Sequence, residues 1–104
     1  MDFLEKKIIE ILGRPISAPE AADQALAFIS ELPDGANALA QFAMLGEEGL
    51  LHFFGTRPGL KPACANMSRL VEFIRAFLKM YAEDQAEAAN AAKDAAAKNV
   101  PLQN

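Results

Sequence analysis

Met67-Ser-Arg-Leu-Val-Glu-Phe-Ile-Arg-Ala-Phe-Leu-Lys-Met-Tyr81 is the stretch whose periodicity decides the fold. At a helical period of about 3.6 residues, Met67, Leu70, Val71, Phe73, Ile74, Phe77, Leu78, Met80 and Tyr81 share one half of a wheel. Arg69, Glu72, Arg75, Ala76, Lys79 and Glu83 fill the other half. A strand would put Glu72 and Ile74 on one face, so period two is excluded. The apolar arc spans roughly 180°, wider than a coiled-coil seam, so this helix is expected to touch more than one neighbour.

Reading outward toward the C-terminus, the composition changes after Tyr81. Eight of the twelve residues from Ala86 to Ala97 are alanine, and no helix breaker occurs before Val100-Pro101. Pro62 suits the first turn of this helix, with Asn66 or Ser68 as alternative caps. A single helix over 62–98 would be roughly 55 Å long. A domain of this size has a radius of gyration near 13 Å, so the helix is expected to overhang its bundle. The organisation expected is a helical core over 1–85 and an Ala-rich helical extension with a frayed end over 86–104.

Toward the N-terminus three shorter helices are expected. Residues 3–12 place Phe3, Leu4, Ile8, Ile11 and Leu12 on one face, with Asp2 as cap and Gly13 as stop. Ser17-Ala18-Pro19-Glu20 has the order of a capping box, ahead of a stripe formed by Ala22, Ala25, Leu26, Ile29 and Leu32. Pro33-Asp34-Gly35 ends that helix in a turn. From Ala36 to Leu45, Leu39, Phe42, Ala43 and Leu45 are expected inward. Gly46 and Gly49 read as a break between two helices, with close approach inside one longer helix as the alternative. The segment Gly55-Thr56-Arg57-Pro58-Gly59-Leu60-Lys61-Pro62 reads as an irregular loop. The fold class expected is all-α, a small bundle of four or five helices around residues 67–81.

Charge and composition narrow the function. The net charge is −4 over 104 residues. Residues 1–35 hold three basic and seven acidic side chains, and the remainder of the chain balances to zero. No basic face is available to neutralise phosphates, so nucleic acid is not an expected partner. One cysteine precludes an internal disulfide, no apolar run reaches membrane length, and a signal peptide is not expected. A cytoplasmic protein is the expectation.

The inventory for chemistry is thin. The single histidine, His52, and the single cysteine, Cys64, are the only candidates for a base and nucleophile pair, and no acid is placed to orient His52. Glu47, Glu48 and His52 supply a carboxylate and an imidazole one helical turn apart, without a visible third ligand. Neither a catalytic, a cofactor nor a metal site is expected. Phe53, Phe54, Phe73 and Phe77 are candidates to line a ligand cavity. The reading favoured is a non-catalytic protein-interaction module that self-associates, as a homodimer, through its C-terminal helix. Its candidate contacts are Leu50, Phe53, Phe54, Arg57 and Lys61 on one patch, and Leu78, Tyr81, Gln85, Ala88 and Ala92 on a seam. The alternative is a small acidic inhibitor or adaptor that covers a basic site on a larger protein. A ligand-binding bundle or thiol enzyme using His52 and Cys64 is the third.

Overall fold

The computed structural model describes residues 2–99, and the side chains of residues 3–89. Four α-helices and one 3-10 segment follow in order: α1 (Asp2–Leu12), α2 (Ala18–Ser30), α3 (Gly35–Thr56), the 3-10 segment (Pro58–Ala65) and α4 (Met67–Asn99). This is the small all-α bundle expected from the periodicities. Among the described residues no helix is long and apolar enough to cross a membrane.

The helix ends follow local chemistry. Ser17, in an extended conformation, accepts a hydrogen bond from the Glu20 amide at 3.2 Å and starts α2. Asp2, expected as a cap, instead lies within α1, whose first turn it joins. Pro62 does not start α4. The chain first winds a 3-10 segment over Pro58–Ala65, which buries Leu60 completely and touches α1, α3 and α4. Two prolines remove donors there without preventing the tighter turn, so the expected irregular loop is a short helix. The Asn66 carboxamide then accepts from the Arg69 amide at 3.2 Å, and α4 begins at Met67.

The two glycines of the third helical region do different jobs. Gly46 sits at φ 71° and ψ −174°, a conformation open essentially to glycine alone, and it breaks α3 into two helices. Gly49 lies inside the second of these. A Cβ there would approach the Leu45 Cβ to 2.8 Å, so Gly49 is a close-approach point. The break expected between two helices is therefore at Gly46, and the single longer helix is not formed. The break also turns Leu45, expected inward, out to 47% exposure.

The core gathers Leu4, Ile8 and Ile11 of α1, Ala18, Ala21, Ala22, Ala25, Leu26 and Ile29 of α2, and Leu70, Phe73, Ile74 and Phe77 of α4. Leu39, Leu50 and Phe54 of α3 and Leu60 of the 3-10 segment complete it. Four alanines on α2 let that helix approach α4 closely. Phe3 departs from the α1 stripe: it is 66% exposed and rests on the Phe28 ring with centroids 5.7 Å apart. Met67, placed on the apolar arc by the wheel, is half exposed at the first residue of α4.

The largest departure from the helical wheel is Arg69. Assigned to the solvent half, it turns back into the junction between α1 and α2. Its guanidinium donates to the Leu12 carbonyl through Nε at 3.1 Å and Nη2 at 2.9 Å, to the Ile16 carbonyl at 2.7 Å, and to the Arg14 carbonyl at 3.2 Å. Two of those carbonyls, of Leu12 and Ile16, receive no backbone donor among the described residues. The Ile16 amide bonds to Arg14, so the Leu12 carbonyl at the end of α1 receives no backbone donor across the turn. One planar cation with five donors thus closes a helix end, a loop and the entry to α2.

Two outcomes test this account. Arg69→Ala is expected to destabilise the fold by about 1–3 kcal/mol in chemical denaturation, because it leaves part-buried carbonyls without their donor. Arg69→Lys should recover less than half of that loss, since an ammonium cannot point at three carbonyls in a fork. Gly46→Ala should cost about 1–3 kcal/mol although open space surrounds its Cβ, because the backbone conformation alone opposes the substitution.

Candidate interaction surfaces

Phe42, Phe53, Phe54, Phe73 and Phe77 form a closed ring of edge-to-face and tilted contacts between α3 and α4. Successive centroid distances are 5.8, 6.1, 6.3, 6.2 and 6.3 Å. The four phenylalanines expected to line a cavity do meet, but the apolar space among them is about 20 Å³. That is far below the roughly 300 Å³ a small-molecule pocket needs, so the rings fill their own space. The neighbouring patch expected as a docking surface is also mostly interior. Leu50 and Phe54 are buried core residues, and Phe53 is half-buried.

Arg57 remains accessible beside that core. Its guanidinium lies 4.7 Å from the Phe53 ring centroid and 3.6 Å from the carboxylate of Glu5, the buried acid of α1. Arg57 therefore ties the end of α3 to α1, which gives it a structural task. Lys61 is exposed on the 3-10 segment.

His52 and Cys64 do not form a hydrogen-bonded pair among the described residues. His52 is exposed, and the Cys64 thiol donates to the Phe54 carbonyl at 3.7 Å. Glu47 does not turn toward His52 either. Its two oxygens accept from Arg75 at 2.7 and 3.3 Å, bridging the second half of α3 to α4. Among the described residues no three His, Cys, Asp or Glu side chains converge as metal ligands.

The seam on α4 divides at Tyr81. Leu78 and Tyr81 are half-buried against the bundle, whereas every side chain from Ala82 to Ala89 is exposed, Gln85 and Ala88 included. Ala92 belongs to the same helix, and its side chain lies outside the described residues. At 33 residues α4 is about 50 Å long. The molecule extends 60 Å along one axis and 24 Å along the other two. The helix therefore projects well past the bundle.

Where α4 leaves the body, a groove of about 320 Å³ opens between it and α2. Asp23, Leu26, Ala27 and Ser30 line it from α2, Leu39 from α3, and Tyr81, Asp84 and Gln85 from α4. The seam residues Tyr81 and Gln85 thus meet here, beside Asp23, Ser30 and Asp84, which the wheel reading of α4 alone could not supply. From Pro15 to Thr56 the chain holds no lysine or arginine but six acids, Glu20, Asp23, Glu31, Asp34, Glu47 and Glu48. Of these only Glu47 has an ion-pair partner among the described residues.

Comparison with protein-family models, curated proteins and solved structures finds no match to this chain.

The Glu47–Arg75 bridge makes a pH-dependent outcome testable. Hydrogen bonds from Arg75, with a smaller contribution from its charge, hold the Glu47 carboxyl below the ordinary glutamate value. A lowered folded-state value means stabilisation that is present above the unfolded value of about 4.3 and lost as pH falls through the folded one. Glu47→Gln should therefore be less stable than the parent at neutral pH. The two denaturation curves should converge below the ordinary carboxylate range, and a gap that persists there would contradict the assignment.

Proposed function

We propose that this chain is a non-catalytic protein-interaction module that self-associates through α4. The observation that supports it is the run from Ala82 to Ala89, helical and with every side chain exposed, continuing directly from the half-buried Leu78 and Tyr81. A helix that makes no tertiary contact is marginal in water even when rich in alanine. A second copy of α4 along Leu78, Tyr81, Gln85, Ala88 and Ala92 would cover the exposed run. Small side chains beyond Tyr81 permit close approach of the two backbones, and two-fold pairing is the commonest symmetric arrangement.

A second reading is favoured by the cation-free stretch from Pro15 to Thr56. On it the chain is an acidic adaptor that covers a basic site on a larger protein, and its association would weaken steeply with salt.

The solution mass separates the two. Self-association requires a mass near twice 11.2 kDa by light scattering. Deleting residues 86–104 should then give a monomer with unchanged helical melting of the bundle. A full-length monomer would remove the first reading, and a truncated dimer would move the interface off the projecting helix.

A further inference from the structure

We propose that the groove between α2 and α4 is a docking site for a cationic segment of another protein, one that presents a lysine or arginine beside an apolar residue. The proposal rests on the acidic-adaptor reading and names the surface and the partner chemistry it would use.

The lining selects for that occupant. Leu26 and Leu39 are buried at 8% and 7% and form an apolar floor. Asp23 and Asp84 stand on opposite walls, one from each helix, and neither has an ion-pair partner among the described residues. No lysine or arginine lines the groove. Lys79, the nearest basic residue in sequence, lies two residues before Tyr81 and so about 200° around α4 from it. The Ser30 hydroxyl donates its proton to the Ala27 carbonyl at 2.8 Å, which leaves its lone pairs as acceptors.

An anionic ligand would meet two uncompensated carboxylates. A purely apolar one would strip water from them without replacement, which is costly. A lysine or arginine avoids both penalties. Its methylene stem can lie on Leu26 and Leu39 while the cation bridges Asp23 and Asp84. Tyr81 lines the same groove, and an aromatic ring is a partner for a guanidinium. The volume, about 320 Å³, suits one or two side chains of a protein segment rather than a folded domain.

The test uses the full-length chain and a fluorescein-labelled synthetic amphipathic peptide of leucine and lysine, read by anisotropy at physiological salt. The same peptide with every lysine replaced by glutamate serves as control. The lysine peptide should bind and the glutamate peptide should not. Asp23→Asn with Asp84→Asn should weaken binding by at least about fivefold, as expected for losing two favourable charge contacts. Glu48→Asn with Glu72→Asn, which removes the same charge from exposed positions outside the groove, should change it by less than about twofold. Ala27→Lys, a cation set on the exposed wall of the groove, should weaken binding with no loss of helical signal.

Equal weakening by both double variants would overturn the groove while leaving the acidic-adaptor reading in place. No binding of the lysine peptide would overturn the groove proposal outright. A dimer mass lost in the Asp23→Asn, Asp84→Asn variant without peptide would put a second copy in the groove, and would overturn it as well.

Discussion

The bundle depends on how one guanidinium is spent. Arg69 stands in the first turn of α4 and donates to carbonyls of Leu12, Arg14 and Ile16, which belong to the end of α1 and the connector into α2. This pins the start of α4 beside the start of α2. Since Ser30, at the far end of α2, and Asp84 line one groove, the two helices run in the same direction. From there length decides the rest. The 13 residues of α2 give about 20 Å of cover, while the 33 of α4 continue for about 50 Å. The projecting helix and the groove at its root are both consequences of that mismatch, anchored at one end by Arg69.

A second constraint shapes the other side of α4. The five phenylalanines of the closed ring come from both halves of α3 and from α4. In an unbroken helix Phe42 and Phe53 would stand about 16 Å apart along the axis, so their ring contact at 5.8 Å needs the chain to turn between them. Gly46 provides the change of direction through a backbone conformation that other residues resist. Glu47, next in sequence, fastens the new direction by its bridge to Arg75. The packing that results is dense enough to leave only about 20 Å³ among the rings, which is why an aromatic cluster does not amount to a binding site here.

These two constraints mark the limit of what periodicity could disclose. The apolar arc of α4, the Ser17 cap, the Pro33-Asp34-Gly35 turn and the stripe on α2 are local patterns, and each is legible without knowing its neighbours. Arg69 is not, because a wheel scores a charged residue as solvent-facing and has no way to count the orphan carbonyls of a turn more than fifty residues away. Phe3 and Leu45 are exposed for a related reason: both lie on an apolar stripe, but one is in the first turn of α1 and the other precedes the break at Gly46. The groove shares that difficulty. Tyr81 and Gln85 were visible as seam residues, yet Asp23 and Ser30 join them only through the parallel placement of α2 and α4.

What the chain does with its charge then bears on its use of the free surface. The cations that have ion-pair partners among the described residues, Lys7, Arg14, Arg57 and Arg75, are engaged with Glu5, Glu10 and Glu47, and Arg69 is engaged with backbone. Internal neutralisation is thus concentrated on α1, the end of α3 and the outer face of α4. The acids of α2 receive none of it. Exposed ion pairs contribute little to stability, so leaving Asp23 and Asp84 unpaired costs the fold almost nothing. It does leave a negative potential beside an apolar floor at the point where α4 departs from the bundle. A surface with that combination discriminates among partners by charge before any close contact forms, and charge acts chiefly on encounter and on the exclusion of wrong partners. The groove and the projecting helix share Tyr81 and Gln85, so a partner seated in the one and a second copy paired along the other would compete for the same residues.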